Sequence, residues 1–297
     1  MSDAIRSMTG YGRGEGDVRG RRLTVEIKAV NHRFLNFFAK LPSDLQRFEA
    51  EVLALVKAHL QRGQVSVFAT WNGGGGGDSA PSVNVEAARA AVASLRQVAR
   101  ELSLPGEVTL DHLLAFPSLF AAGAEALEPE ELWKAAGAVF EAALRNVDEL
   151  RVREGQDLAA DMTAKLAALR VLGDQVEARR PQVVTEYKAR LEKRVEELVT
   201  GVPGDVARDR VAVEVAVFAD RSDVDEELVR LRSHLDKAGE LLAGGGAVGR
   251  KLDFLLQELN RETNTIGSKA CDAEMSRVVV EMKSELEKIR EQVQNLE

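Results

Sequence analysis

The stretch GRKLDFLLQELNRETNTIGSKACD, from Gly249 to Asp272, decides how the C-terminal half of this chain folds. Its apolar residues recur at the spacing of one helical face, which predicts an amphipathic helix; they are Leu252, Leu255, Leu256 and Leu259. Amides, acids and bases alternate between these leucines, and a Gly-Ser-Lys turn is predicted at residues 267–269. Such side chains make directional hydrogen bonds to phosphate, sugar and base edges, but they are equally typical of a solvated helix face followed by an ordinary turn.

The helices predicted on either side of this stretch carry heptad seams. The last helix alternates spacings of four and three through Met275, Val279, Met282, Leu286, Ile289, Val293 and Leu296. The preceding helix has the same spacing at Val224, Leu228, Leu231, Leu235 and Leu242, with Ala238 in the missing place. Because the two seams match, we expect them to pair within the chain as an antiparallel arm rather than between subunits.

Two further long helices are predicted upstream, at Asp148–Arg180 and Gln182–Val199. Proline lacks the backbone N–H that a helix interior needs, so we expect a hairpin or a kinked rod that is broken at Pro181. The exposed faces of these helices are dense in Glu, Arg and Lys. That pattern is typical of solvated faces with pairs of opposite charge one turn apart.

The first 72 residues predict an α+β unit. Arg22–Val30 alternates apolar and polar residues as a half-buried strand does, and the turn-rich Gly14–Gly20 suggests a hairpin with Ser7–Arg13. A helix is predicted to open at Pro42-Ser43 and to run through Leu60. A further strand is predicted at Gln64–Trp71.

The fold class predicted from these elements is α+β: a small N-terminal α+β domain followed by a mostly α-helical C-terminal region with long helical hairpins. We place the N-terminal domain at 1–72, a Gly-rich linker and helical connector at 73–147, and a C-terminal helical domain at 148–297. The five glycines at 73–77, followed by DSAPS, predict a flexible linker. They are not followed by Gly-Lys-Ser/Thr, which excludes a phosphate-binding loop of that type.

Composition limits the classes of function. The 297 residues carry a net charge of −8, which argues against a generally basic nucleic-acid binder, although residues 1–40 hold eight Lys/Arg against four Asp/Glu. Aromatic residues make up only 5%, so a broad aromatic platform for base stacking is not expected. A single cysteine, Cys271, excludes an intrachain disulfide and a cysteine-based zinc site. The N-terminus lacks the apolar core of a signal peptide, and we find no apolar run of membrane-spanning length.

One line of the predicted helix at residues 223–242 combines an acid, a base and an imidazole. Glu227, Arg230 and His234 are spaced at i, i+3 and i+7, so they share an outer face beside the apolar seam. A carboxylate and an imidazole on one line suit a pair of metal ligands, or a general base with the group that orients it. The same pattern also fits a surface histidine that lies near a salt bridge and has no role in catalysis.

The chain has four histidines, and two of them are predicted to have structural roles. His59 and His112 lie in leucine-flanked helical surroundings. A mechanism with two histidines as acid and base would need His32 to converge with His234. We favour RNA binding for His32, because Asn31, His32 and Arg33 at the end of a strand suit contacts with phosphate and the 2′-hydroxyl.

Carboxylates from three neighbouring segments suit a hard divalent cation. Glu258 and Glu262 are four residues apart on one helical face, Asp272 follows a short turn, and Glu227 comes from the preceding helix. Mg²⁺ or Mn²⁺ bound by such oxygens can activate water and stabilise charge on a scissile phosphate. Glu258 could equally pair with Arg261. Lys269, in the predicted turn, could stabilise a pentacovalent phosphate.

Several blocks at both ends of the chain resemble the YicC/YloC family of bacterial endoribonucleases. They are Ser7–Glu15, Val25–Leu35, Glu226–Leu235, Gly249–Asp272 and Lys288–Glu297. The middle, from about Gly73 to Thr200, is matched only in its helical character and in Arg153-Glu154-Gly155. The resemblance implies metal-dependent RNA cleavage by a ring-shaped homo-oligomer, a hexamer.

Because His234 falls in one of these blocks, we predict that it is catalytic, together with Glu227 and Lys269. A divalent Mn or Mg ion is predicted at Glu258, Glu262 and Asp272. The basic and imidazole groups predicted to bind RNA are Arg13, Lys28, His32, Arg33, Arg230, Arg250, Lys251 and Arg261.

We therefore expect a cytoplasmic, metal-dependent endoribonuclease that cleaves single-stranded or structured RNA in RNA turnover. Its expected partners are RNA, further copies of itself and other RNA-degradation proteins, with no membrane. The first alternative is a non-catalytic adaptor that clamps RNA for a separate nuclease, and the second is an oligomeric scaffold. The acidic cluster distinguishes these hypotheses, because an adaptor has no reason to bury carboxylates near a phosphate.

Overall fold

The structure, a computed structural model, describes residues 4–18, 20–72, 85–103, 107–116, 119, 128–198 and 204–296. Its strands are β1 (Gly10–Val18), β2 (Arg21–Val30), β3 (Leu35–Lys40) and β4 (Gly63–Asn72). Its helices are α1 (Glu49–His59), α2 (Val85–Glu101), α3 (Leu110–Leu114), α4 (Pro129–Leu198), α5 (Gly204–Arg221), α6 (Asp225–Gly244), α7 (Gly249–Lys269) and α8 (Ala273–Val293). The α+β class is confirmed. The linker predicted at residues 73–77, with DSAPS after it, lies outside the described residues.

The four strands form one sheet in the order β1-β2-β4-β3, with β3 parallel to β4 and the other neighbours antiparallel. The predicted hairpin is present, but its first strand begins at Gly10 rather than Ser7. Strand β3 was not predicted from the sequence, because this edge strand is only half-buried and its alternation is weak. The helix predicted from Pro42 begins at Glu49, after a short 3₁₀ turn at Gln46–Phe48.

A stripe of glycines on β1 lets α4 lie directly on the sheet. Gly10, Gly12, Gly14 and Gly16 all face α4. A Cβ on Gly12 would lie 2.2 Å from the carbonyl oxygen of Ala143, and one on Gly14 would lie 2.4 Å from that of Val139. Both distances are far below van der Waals contact, so only glycine permits this close approach.

Helix α4 is continuous over 70 residues, and the break predicted at Pro181 is wrong. Pro181 faces solvent. The carbonyl that loses its helical N–H partner there can therefore bond to water. Val176 and Val183, on either side of the proline, are buried in the same core and hold both halves of the helix against it.

The same helix serves two hydrophobic cores. Its first part, through Val147, belongs to the core beneath the sheet, which also contains Val25 and Ile27. From Met162 onward its buried residues belong to the helical core. The boundary that we drew at 147/148 therefore falls inside a continuous helix, near the place where α4 passes from one core to the other.

The helical core is a four-helix bundle of α4, α6, α7 and α8. Its neighbouring pairs are α6 with α7, α7 with α8, α8 with α4 and α4 with α6. Both predicted heptad seams are buried inside this bundle. Their direct pairing is wrong, however, because α6 and α8 occupy diagonal corners, and each packs on α7 and α4 instead.

The C-terminal tail joins the two parts of the molecule. Ser7 forms a β-bridge with Leu296, and the Met8 amide donates to the carbonyl of Asn295 at 2.8 Å. The Asn31 side chain donates to the carbonyl of Gln294 at 2.7 Å. Among the described helices, none is long and apolar enough to cross a membrane.

Candidate metal centre

The seam between α6 and α7 carries a line of polar side chains beside its buried leucines. A short connection joins the two helices, and Gly245 and Gly246 adopt φ of 73° and 80° there, a left-handed conformation that favours glycine. The helices run antiparallel, so residues early in α6 face residues late in α7. The Gly-Ser-Lys turn predicted at 267–269 is wrong: these residues form the last turn of α7.

Three predicted site residues meet at the middle of this seam. Ligand atoms of His234, Glu258 and Glu262 all lie within 4.8 Å of one another. Glu262 is 1% exposed, whereas the other two are half-buried. The Nδ1 atom of His234 is buried and has no hydrogen-bond partner. A buried polar atom without a partner is costly, so this nitrogen marks a place where a ligand would add a missing bond.

Two arginines partly neutralise the carboxylates of this cluster. The Arg261 guanidinium lies 2.8 Å from Glu262 and 2.9 Å from Glu258, which is the pairing that the sequence left open. Its hydrogen bond to Glu262, and then the charge of Glu258, raise the pKa of Arg261 above its ordinary value. Arg230 lies 3.9 Å from Glu262 and also pairs with Glu226.

A second polar pair lies two helical turns away along α6. Glu227 is buried, and its Oε1 accepts a 2.8 Å hydrogen bond from the Lys269 ammonium. Its other carboxylate oxygen is buried without a partner. Seven residues separate Glu227 from His234, which corresponds to about 10 Å along the helix axis. The three residues that we predicted to be catalytic therefore lie on one seam, but Glu227 and Lys269 form a pair of their own.

The donor set at His234, Glu258 and Glu262 fits a divalent ion. Bonds of about 2.1 Å to Mn²⁺ or Mg²⁺ separate neighbouring ligand atoms by roughly 3 Å and opposite ones by roughly 4 Å. The three ligand atoms here all lie within 4.8 Å of one another, so small side-chain movements would bring them to these separations. The side chain of Arg261 is 56% exposed, so it can turn outward when a cation takes its place between the carboxylates. Three protein ligands would leave further positions for water and phosphate.

Asp272, which we predicted as a third carboxylate ligand, lies outside this cluster. It caps the N-terminus of α8 by accepting from the Glu274 amide, and it pairs with Arg179 at 2.9 Å. The hydrogen bond from Arg179 lowers the pKa of Asp272. The carboxylate is therefore committed to holding α8 against α4.

The remaining predicted RNA-binding residues fall into two groups. Arg13 and Lys28 project from the sheet, and Arg33 follows β2 in the loop where its guanidinium stacks 5.2 Å from the ring of Phe34. Arg250 and Lys251 begin α7 and line a groove with Phe254. The C-terminal tail lies close to the second group, because a Cβ on Gly249 would lie 2.8 Å from the Leu296 carbonyl oxygen.

The other histidines do not join the cluster. The hydrogen-bond partners of His32 are Phe34 and Asn36. His59 bonds to Asp148 at 2.6 Å, and His112 completes the capping box of α3. Among the described residues, a single group of three or more histidine, cysteine or acidic side chains has the spacing of a metal site.

Two features of the surface were not predicted from the sequence. A groove of about 670 Å³ beside the outer face of α7 is lined by polar side chains that include Gln257, Asn260, Asn264, Thr265, Ser268 and Arg290. The amides were noted, but Arg290 comes from α8, and only the packing of the two helices reveals it. The exposed aromatic rings on the sheet were not predicted either. The low aromatic content of the whole chain does not show that the few rings present lie together.

The chain combines an α+β unit with a four-helix bundle. One seam of the bundle gathers an imidazole and two carboxylates. The chain belongs to the endoribonuclease YicC-like family. The family's N-terminal region matches residues 5–160, and its C-terminal domain matches residues 176–297. The resemblance seen in the sequence is thereby confirmed, and the division between the two matches falls inside α4.

Two relatives match almost the whole chain. The probable endoribonuclease YicC of Clostridioides difficile (strain 630) is 34% identical over 291 residues, which cover 98% of this chain and 99% of the relative. The probable endoribonuclease YicC of Haemophilus influenzae (strain ATCC 51907 / DSM 11121 / KW20 / Rd) is 32% identical over 295 residues, which cover 99% and 100%. The chain is therefore similar to these proteins in both of its parts.

Proposed function

We propose that this chain is an endoribonuclease whose cleavage depends on a divalent metal held by His234, Glu258 and Glu262. The observation that carries the proposal is the convergence of these three ligand atoms, with one buried nitrogen that lacks a partner. The names of the two relatives support RNA cleavage. A single cysteine, exposed and unpaired, is compatible with activity in RNA turnover in a reducing cytoplasm.

The residues of the cluster would hold and orient the ion. Glu258 and Glu262 would supply oxygen ligands, and the imidazole of His234 would supply nitrogen, which suits Mn²⁺ better than Mg²⁺. Bound there, the ion would supply an activated water and stabilise negative charge on the scissile phosphate. Glu262 is buried, so its carboxylate is positioned in advance and loses little freedom on binding.

Arg261 and Lys269 would contact different phosphates of the RNA strand. Arg261 pairs with both carboxylates, and its exposed guanidinium would be released toward RNA when a cation replaces it. Lys269 is held by buried Glu227, so its ammonium has a fixed position on the seam. Because the pair lies about two helical turns from the cluster, we assign Lys269 a contact with a neighbouring phosphate of the bound strand, and we assign Glu227 the positioning of Lys269.

A cleavage assay tests the proposal. Purified protein is incubated with labelled RNA in Mn²⁺, in Mg²⁺, in Zn²⁺ and in excess chelator. We expect cleavage in Mn²⁺ and none in chelator. Glu262→Gln removes a ligand charge with little change in shape, and it should lower the rate at least about a hundredfold. The matched control is Glu281→Gln, since Glu281 is exposed on α8 and forms no ion pair with a described residue.

Two other results would contradict the proposal. Full cleavage in chelator would show that the reaction needs no metal, and it would favour a mechanism in which histidines act as acid and base. Tight RNA binding without cleavage under every metal would favour the alternative, an adaptor that clamps RNA for a separate nuclease. The adaptor hypothesis would also predict that Glu262→Gln leaves RNA degradation by an added nuclease unchanged.

We also propose that the protein is a homo-oligomer, a hexamer, which other RNA-degradation proteins join. Support comes from apolar side chains that remain exposed on α5 and at the end of α4, namely Leu198, Val206, Val213 and Val217. Surfaces of this kind are commonly covered by partners. Light scattering at micromolar concentration should give about six times the chain mass of 32.4 kDa. A mass near that of one chain would contradict this proposal.

A further inference from the structure

The outer face of the sheet carries exposed aromatic rings. Helices α1 and α4 pack on its inner face. On the other face Tyr11 is 47% exposed, Phe38 is 55% exposed and Phe68 is 40% exposed. Phe38 and Phe68 contact each other edge to face, with centroids 6.1 Å apart. Large exposed rings gathered on one face lose contact with water when they are covered, so they mark a binding surface.

The strand register places these rings among cations. One row across the sheet consists of Tyr11, Lys28, Ser66 and Phe38. The next row consists of Arg13, Glu26, Phe68 and Lys40. We call these eight residues the aromatic face. Each row therefore contains both a ring and a lysine.

The two lysines of the aromatic face are available to a ligand. Lys28 and Lys40 are exposed, and neither forms an ion pair with a described residue. Arg13 is engaged with Glu15 and lies 4.0 Å from Glu26, so it is less free. Alternation of rings with unpaired cations is the pattern of surfaces that stack unpaired bases and bind the phosphates between them.

Charge argues for a nucleic acid rather than a second copy of the chain. Lysine is depleted in interfaces between protein chains, because its strongly hydrated ammonium is expensive to cover. A phosphate backbone instead gains from each lysine by releasing counterions. Duplex RNA cannot use the rings, since its bases are already stacked and paired.

We propose that the aromatic face binds single-stranded RNA, with bases stacked on Tyr11, Phe38 and Phe68 and phosphates on Lys28 and Lys40. This inference rests on the proposed endoribonuclease function and states which form of RNA the chain takes up. Ser66 lies between the rings and can bond to the 2′-hydroxyl, which distinguishes RNA from DNA. The sheet would thus hold the strand while the helical seam carries the cleavage.

Binding to a labelled RNA in chelator tests the proposal without any cleavage. The probes are an unstructured 12-nucleotide RNA and a duplex of the same length, and the protein is the full chain. Phe38→Ala with Phe68→Ala should weaken binding of the single strand at least about 30-fold, which corresponds to roughly 1 kcal/mol for each of the two stacked bases. Affinity for the duplex should stay as it is.

Matched variants separate stacking from charge. Lys28→Ala with Lys40→Ala should weaken binding and reduce the slope of log affinity against log salt by about 0.7 for each lost contact. Lys57→Ala is the charge control, because Lys57 is exposed on α1, on the other side of the sheet. Val280→Ala is the apolar control, since Val280 is 66% exposed on α8. Both controls should bind RNA as the unmodified chain does.

A conservative variant guards against misfolding. Phe38→Trp keeps a flat ring, so it should retain the affinity, and its fluorescence should be quenched by the single strand but not by the duplex. Wild-type affinity in the double phenylalanine variant, or no quenching in Phe38→Trp, would overturn the proposal. So would a fall in oligomer mass with unchanged RNA affinity, which would identify the aromatic face as an interface between copies.

The metal proposal can fail independently of this one. Cleavage in chelator would overturn the metal centre but would leave the binding data on the aromatic face unaffected. In the opposite case, Glu262→Gln loses cleavage while every sheet variant binds RNA as the unmodified chain does. That result would support the metal centre and contradict RNA binding by the aromatic face.

Discussion

The sheet and the bundle use opposite arrangements to present their polar groups. The sheet buries glycine and apolar residues on one face and exposes its rings and lysines on the other. The bundle instead buries Glu227 and Glu262 in the seam between two helices. Groups on an open face can be changed at little cost to folding, whereas a buried charge depends on its partners. Variants in the two parts should therefore separate effects on stability from effects on function.

The largest effect on stability should come from the glycine stripe, and a glycine of the bundle provides the comparison. Gly12→Ala would place a Cβ 2.2 Å from the Ala143 carbonyl oxygen, so α4 must move off the sheet. We expect a loss of about 3 kcal/mol in the free energy of unfolding. Gly239→Ala on α6 meets no atom within 4 Å and should stabilise the helix by up to about 1 kcal/mol. Urea denaturation measures both, and equal values for the two variants would show that α4 does not need the stripe.

The largest effect on function should come from the bundle seam. His234→Ala removes the nitrogen ligand that we propose, and cleavage should fall at least about a hundredfold. The rise in melting temperature that Mn²⁺ produces should disappear with it, while RNA affinity in chelator should persist. Ser233→Ala, the neighbouring exposed position, is the control. A His234→Ala protein that melts early but cleaves at the normal rate would make His234 a packing residue.

A moderate loss of stability should follow when the buried pair on the same seam is broken. Lys269→Ala leaves Glu227 buried without its cation. The Lys269 side chain is 34% exposed, so water can enter and reduce the penalty to about 2 kcal/mol. Adding Glu227→Gln should recover part of that loss, which a double-mutant cycle measures. Strict additivity of the two changes would show that the pair contributes nothing.

The smallest effect should come from Asp272, and it should depend on pH. Its hydrogen bond from Arg179 depresses the pKa of the folded state, so this stabilisation is complete above the unfolded pKa near 4 and is lost as pH falls through the lower folded pKa. Asp272→Asn can still cap α8, and it should cost about 1 kcal/mol at pH 7. The gap between the two proteins should close as the carboxylate protonates in acid. Asp209→Asn, at an exposed position on α5, should show no such gap at any pH.

Local periodicity was sufficient for much of the fold. The helices α6, α7 and α8 and the strand β2 repeat their apolar residues at regular intervals, and each lies where that repeat predicted it. The common helical face of Glu258 and Glu262 followed from their spacing alone. The edge strand β3 could not be found in this way, because it is half-exposed and lacks a clear alternation.

The site depended on contacts between segments far apart in sequence. Asp272 and Glu227 were both reasonable ligands by proximity along the chain, but Arg179 binds the first and Lys269 binds the second. The continuity of α4 through Pro181 likewise depends on the core that holds both of its halves.

The sequence by itself determined the class of fold, the family and the residue types that could perform the chemistry, because helical faces and motif blocks depend on neighbours within a few residues. Only the tertiary structure decided which of those residues meet. The register of α6 against α7 brings His234 to Glu258 and Glu262, and the register of four strands brings rings and lysines to one face. Both registers are set by the packing of side chains that are distant along the chain, so no local pattern contains them.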